Sequence, residues 1–178
     1  RDRTRSARVT MTPAPSADSS PAISSYRFTN PSFLIEALTH KSYVNERRDS
    51  GRKHNERLEF LGDAVLSLIM SDYLARRYPE LSEGALSKLK ASLVSEAPLA
   101  NAARRLDLGA RLKLGRGEEL SNGRDKTSLL ADALEAVLAA VYLDGGFEAS
   151  RNFTIEVLTD ELRQIDVLQE QPGGDDYK

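Results

Sequence analysis

From Pro31 onward, apolar residues recur at intervals of three and four, the period of helices with one face turned to a core. Asn30-Pro31 reads as an N-cap followed by proline at the first helical position, and Phe33, Leu34, Ala37 and Leu38 follow at helical spacing. Ser50 to Lys53 form a polar, basic break. Asn55 is then expected to cap a long helix running to about Tyr78, where Pro79 closes it. Its apolar stripe is Leu58, Leu61, Val65, Leu68, Ile69 and Leu74. Ser82 opens a third helix carrying Leu86, Leu89, Leu93 and Val94. Ser95 and Pro98 begin a fourth, which Gly109 is expected to end. Residues 110–125 read as a Gly- and charge-rich connection with a short alternating piece at Leu112 and Leu114. A fifth helix spans roughly Thr127 to Leu143, with Gly145-Gly146 terminating it, and a sixth runs from about Phe147 to Leu168. Strand alternation is nearly absent and no repeat is visible. The expected class is therefore all-α, a helical bundle with no sheet.

The ends differ in composition. Residues 11–25 are Pro, Ala and Ser with a single Asp18, so residues 1–25 are expected to be a disordered lead. Met11 is the first methionine, and Arg1 to Thr10 lack the apolar stretch of a secretory signal. The folded domain is expected over 26–169, and 170–178 have a linker composition.

Overall composition narrows the classes further. The 178 residues are 40% hydrophobic and 29% charged, which suits one soluble domain. With no cysteine, a disulfide scaffold and a Cys-based zinc site are excluded, and a cytoplasmic location is expected. No apolar run approaches the roughly 18 residues of a membrane span. A net charge of −2 speaks against a protein that coats nucleic acid through a strong positive field.

The candidate chemistry lies in acids set among apolar residues. Glu56, Glu59 and Asp63 stand three and four apart, on one face of the second helix. Gly62 sits among them, at a cost of about 1 kcal/mol in a helix interior. The fifth helix repeats the theme, with Asp132 and Glu135 the sole polar residues in Leu129–Leu138. A single such pair is usually a solvated face. Two pairs in two apolar helices leave solvated and buried readings evenly matched, and buried carboxylates require protons, basic partners or a metal ion. If the helices pack together, oxygen ligands without His or Cys favour Mg²⁺ or Mn²⁺, and metal-assisted phosphodiester hydrolysis is the indicated chemistry. A di-iron bundle needs Glu-x-x-His pairs, but His40 and His54 lie outside both acidic helices. Gly115-Arg116-Gly117 lacks the Gly-Lys-Ser/Thr ending of a phosphate loop.

The run Asn55–Leu66, NERLEFLGDAVL, resembles the signature of bacterial ribonuclease III, the endonuclease that cuts double-stranded RNA. ALTHKSY at 37–43, EGALSKLKASLVS at 83–95 and LADALEAVLAAVYLDGG at 130–146 match the family's other segments in order. Ser25-Tyr26-Arg27-Phe28 keeps the turn that closes the family's first helix, although Ser16 to Ser24 is a poor helix. Asp176-Tyr177-Lys178 resembles the opening of the family's double-stranded-RNA-binding domain.

The resemblance implies a homodimer with one active site per subunit, no small-molecule cofactor and no membrane association. By position, Asp63 and Glu135 match the catalytic magnesium ligands, with Glu59 and Asp132 completing the shell and Mn²⁺ able to substitute. Glu56 and Glu83 match accessory acids; for each, a surface or helix N-terminal acid is the alternative. Phe60, which by pattern alone belongs in the core, matches an aromatic that inserts into a socket on the partner. The implied reaction is in-line attack by water, leaving 5′-phosphate and 3′-hydroxyl ends and short 3′ overhangs, in the processing of ribosomal and other RNAs. The alternative function is a catalytically silent module that binds RNA or ribosomes. Candidate duplex contacts are Arg111, Lys113, Arg116, Arg124 and Lys126, with a solvated loop the alternative reading and Lys88 and Lys90 weaker candidates. Two divalent ions per subunit would take the net charge from −2 to +2, so the acidic balance fits a metal site better than it argues against RNA.

Overall fold

The computed structural model describes residues 21–47 and 51–170. Helices dominate them: α1 (Pro31–Ala37), α2 (Lys41–Arg47), α3 (Glu56–Arg77), α4 (Glu83–Leu93), α5 (Glu96–Arg105), α6 (Leu108–Arg111), α7 (Arg116–Leu120), α8 (Thr127–Val157) and α9 (Thr159–Glu170). The first half of α8 is the axis of the fold. Every residue from Ala136 to Val141 is buried, and α1, α3 and α5 surround it. Alanines at 131, 133, 136, 139 and 140 keep this axis thin, which lets its neighbours approach closely.

The expectation of no sheet is corrected by one small element. Ala22–Ile23 (β1) pairs antiparallel with Tyr26–Arg27 (β2), in the register Ala22↔Arg27 and Ile23↔Tyr26. Two-residue strands are too short to produce a readable alternation. The hairpin is anchored by its own chemistry. Ile23 and Phe28 are each 1% exposed, and the Tyr26 hydroxyl and the Thr29 and Asn30 amides donate to Asp144 at 2.7–2.8 Å. Glu156 accepts from the Ser24 and Ser25 hydroxyls. Residues 21–25 therefore belong to the fold rather than to the expected lead, whose remainder, 1–20, lies outside the described residues, as does 171–178 of the linker.

Helix boundaries follow the expected signals in part. Asn30 caps α1, accepting from the Ser32 amide at 3.0 Å, and Ser82 caps α4 through the Ala85 amide. Asn55, however, is helical and buried and makes no side-chain cap. Gly109 does not end the fourth helix. That helix stops at Arg105, and Asp107 breaks the chain with a left-handed φ of 53° before Gly109 enters α6. Gly146 breaks α8 with φ 80° and ψ −175°, a conformation open to glycine, where Gly145-Gly146 is expected to end a helix. A second break at Leu158 separates α8 from α9.

Candidate metal centre

The two acidic helices meet. A Cβ built on Gly62 would stand 1.9 Å from the backbone oxygen of Glu135 and 2.5 Å from its carbonyl carbon. No side chain fits there, so the glycine that weakens α3 as a helix is what allows α3 and α8 to touch backbone to backbone. This contact places the acids of α3 beside those of α8.

Carboxylate oxygens of Glu59, Asp132 and Glu135 lie within 4.8 Å of one another, and all three residues are half-buried. Asp63 is exposed and outside this tight trio, but its charge acts on Glu135. The cation whose charge reaches Glu59 and Asp132 is Lys41, which is itself paired with Glu56. Two like charges at 4.8 Å repel by about 3.5 kcal/mol at an effective dielectric of about 20. The site relieves this by taking up a proton. Burial first, then the charges of Asp63, Asp132 and Glu59, push the Glu135 carboxyl up to about 7. Burial also raises Glu59 and Asp132, with the Asp132 and Glu96 charges respectively as the next causes. An all-oxygen, charge-frustrated pocket suits a hard divalent cation, which removes both the repulsion and the proton.

The accessory acids sit apart. Glu56 pairs with Lys41 at 2.7 Å, at the mouth of the cluster. Glu83 begins α4 and accepts from Ser87 at 2.8 Å; within one chain it does not join the trio. Glu96, in the first turn of α5, escapes sequence reading because an acid after Ser95 looks like an ordinary helix N-terminal acid.

The proposed duplex contacts divide into two kinds. Arg124 donates to the backbone oxygens of Gly109, Ala110 and Leu112 at 2.7, 3.1 and 2.9 Å and pairs with Glu119, so its guanidinium is committed to the fold. Lys126 is held by Glu118 and Ser121, and Arg111 donates to Ala22 O at 3.2 Å. Arg116 projects an exposed side chain, while its amide and that of Gly117 donate to Glu46 at 2.6 and 3.0 Å. Lys113 is half-buried and bridges Thr39 through its backbone.

Phe60 is 82% exposed and Leu68 58% exposed, so α3 carries a second apolar face pointing away from its own core. A cavity of about 450 Å³ is lined by Phe33, Leu58, Leu61 and Leu143, together with polar residues that include Glu36, His54 and Arg57.

The fold agrees with known proteins. A family model described as Ribonuclease-III-like matches residues 30–162. The chain belongs to the ribonuclease-III-like family. It is 54% identical over 140 residues to Ribonuclease 3 of Desulforamulus reducens, covering 79% of this chain and 57% of that protein. It is 60% identical over 122 residues to Ribonuclease 3 of Geobacter metallireducens, covering 68% and 50%. The chain thus spans about half the length of these curated relatives. A solved nuclease domain of ribonuclease III from Campylobacter jejuni, described as having a flexible region involved in dimer formation, superposes with a TM-score of 0.71. That match has 40% identity over 78% of this chain and 92% of the other. Its ribonuclease III nuclease fold accords with the all-α expectation. Among the described residues, no helix is long and apolar enough to cross a membrane.

Proposed function

We propose that this chain is the catalytic part of a divalent-metal-dependent endoribonuclease that cuts double-stranded RNA. The observation that carries this reading is the convergence of Glu59, Asp132 and Glu135, with Asp63 beside them, on a backbone contact only Gly62 permits. Mg²⁺ is the physiological ion and Mn²⁺ substitutes. Bound there, the cation would polarise a phosphoryl oxygen and lower the pKa of water at the site. The protein's part is to hold four oxygen donors on two rigid helices and to give up the Glu135 proton on binding. Asp63, exposed at the rim, faces the substrate side of the cluster.

Products carry 5′-phosphate and 3′-hydroxyl ends with short 3′ overhangs, and the substrates are ribosomal precursors and other structured RNAs in the cytoplasm. The unit is a homodimer in which Phe60 enters the cavity of a second copy, burying a side chain otherwise left in water. The catalytic domain ends near residue 169, and residues 170–178 lead towards a double-stranded-RNA-binding domain. Asp63→Ala and Glu135→Ala test the assignment: each should abolish Mg²⁺-dependent cleavage of a long duplex while helicity and dimerisation persist. A parent chain that binds duplex but never cuts it would indicate a silent binding module instead.

A further inference from the structure

Among the described residues, Lys90 is a half-buried cation outside the ion pairs of the fold and packed against the acidic helix. Lys41, Arg105, Arg124 and Lys126 each pair with a carboxylate. Lys90 of α4 has a neutral partner instead, donating from Nζ to the Ser67 hydroxyl of α3 at 3.4 Å. Ser67 lies four residues beyond Asp63, one helical turn or about 6 Å along the same face of α3. Beyond it a cleft of about 290 Å³ opens between α3 and α4, lined by Ser71, Leu74, Leu86 and Ser87, with Lys90 and Glu83 as its charged residues. The Ser71 hydroxyl is spent on the Ser67 carbonyl and the Ser87 hydroxyl on Glu83, so the Lys90 ammonium, seated on Ser67 one turn from Asp63, is the group still able to donate to an anion. Elsewhere that end of α3 is strongly negative, so an anionic strand laid across the acids needs a cation beside them.

We propose that Lys90, seated on Ser67, binds a backbone phosphate of the RNA strand next to the phosphate that is cut. Resting on the endonuclease reading, this makes Lys90 a binding residue that sets the register of the strand against Asp63. The ammonium donates to a non-bridging phosphate oxygen, while Ser67 orients it. The contact carries no sequence information, as suits recognition of A-form duplex by its backbone.

Lys90→Gln, Lys90→Arg and Ser67→Ala test it in the full 178-residue chain. Binding of a uniform RNA duplex is titrated in EDTA by fluorescence anisotropy across a salt series, and cleavage is followed separately in Mg²⁺. Lys90→Gln should weaken binding about ten-fold near physiological salt, the effect of losing one charge-assisted contact. It should also lower the slope of log K against log salt by about 0.9, the share of one duplex phosphate. KM should rise more than kcat falls, Lys90→Arg should restore both, and thermal stability should not change. Ser67→Ala should give a smaller loss of affinity with the slope retained. If Lys90→Gln leaves affinity and slope unchanged while the parent cuts duplex, the phosphate subsite is wrong and the endonuclease reading stands. If Lys90→Gln shifts only the Mg²⁺ midpoint, Lys90 is a counter-charge to the acids and the proposal is overturned. A parent that never cuts, but whose salt slope still falls on Lys90→Gln, would refute the endonuclease reading and leave the subsite intact.

Discussion

Gly62→Ala is the smallest change that should dismantle the site without touching an acid. The added Cβ would lie 1.9 Å from Glu135 O, whereas ordinary contact begins near 3.4 Å. The helices must therefore part by about 1.5 Å at the point where they position the carboxylates. The clashing atoms are backbone, so no rotamer change relieves them, and the cost falls at or above the upper end of the ~1–3 kcal/mol typical of overpacking. Alanine returns about 1 kcal/mol of helix propensity, leaving a net loss of about 2 kcal/mol. For a domain of this size that corresponds to a Tm lower by roughly 4–8 °C. The larger effect is on the metal. Mg²⁺ demands oxygen donors at about 2.0–2.1 Å in near-octahedral array, and a separation of this size leaves the α3 and α8 acids unable to share one ion. Thermal melting in EDTA and in Mg²⁺ reads both effects. Gly62→Ala should melt lower in EDTA and lose most of the stabilisation that Mg²⁺ gives the parent. Gly84→Ala is the control: nothing lies within 4 Å of a Cβ built there, so alanine in α4 should raise stability by up to about 1 kcal/mol. A Gly62→Ala protein with parental melting and an undiminished Mg²⁺ response would refute the close-contact argument.

Further expectations concern charge and assembly. The Glu135 carboxyl, pushed from 4.5 to about 7, binds its proton more tightly folded than unfolded. Metal-free stability should therefore fall as pH rises from about 4.5 through 7, and Glu135→Gln should raise the Tm in EDTA at pH 8. The full shift corresponds to about 3 kcal/mol, reduced to about 1–2 by solvent screening at this half-exposed site; a lower Tm for Glu135→Gln in EDTA would contradict this. Phe60→Ala, which removes almost no intrachain burial, should raise the dimer dissociation constant at least thirty-fold in sedimentation without loss of helicity. Arg124→Ala should lower the Tm by several degrees, because three backbone oxygens lose their donor, whereas Arg116→Ala should leave the Tm alone and reduce the salt dependence of duplex binding.

What could be read in the chain depended on the range of the physics involved. The helices α3, α4 and the first half of α8 were legible because their apolar period and breakers are local, and Gly146 breaks α8 where a glycine pair predicts a stop. The acids were legible for the same reason: carboxylates among leucines and alanines are anomalous wherever the helix goes. The hairpin was not legible, since its order comes from Asp144 and Glu156, more than 110 residues away. The commitment of Arg124 and Lys126 to the fold was equally invisible, because a basic loop looks the same whether its cations face RNA or close on Glu118, Glu119 and free carbonyls. Exposure of Phe60 contradicts its pattern, which marks it as core; only the family resemblance pointed outward. Gly62 was legible as a cost but not as a contact, because its reason lies on another helix.

The central claim is that the α3–α8 carboxylates hold a divalent cation that cuts duplex RNA. The most direct measurement incubates the chain with a long RNA duplex, and with one of its strands alone, in Mg²⁺ and in EDTA. The duplex should be cut in Mg²⁺ to short fragments bearing 5′-phosphates, and neither the EDTA reaction nor the single strand should be cut. Equal cleavage in EDTA, or of the single strand, would contradict it.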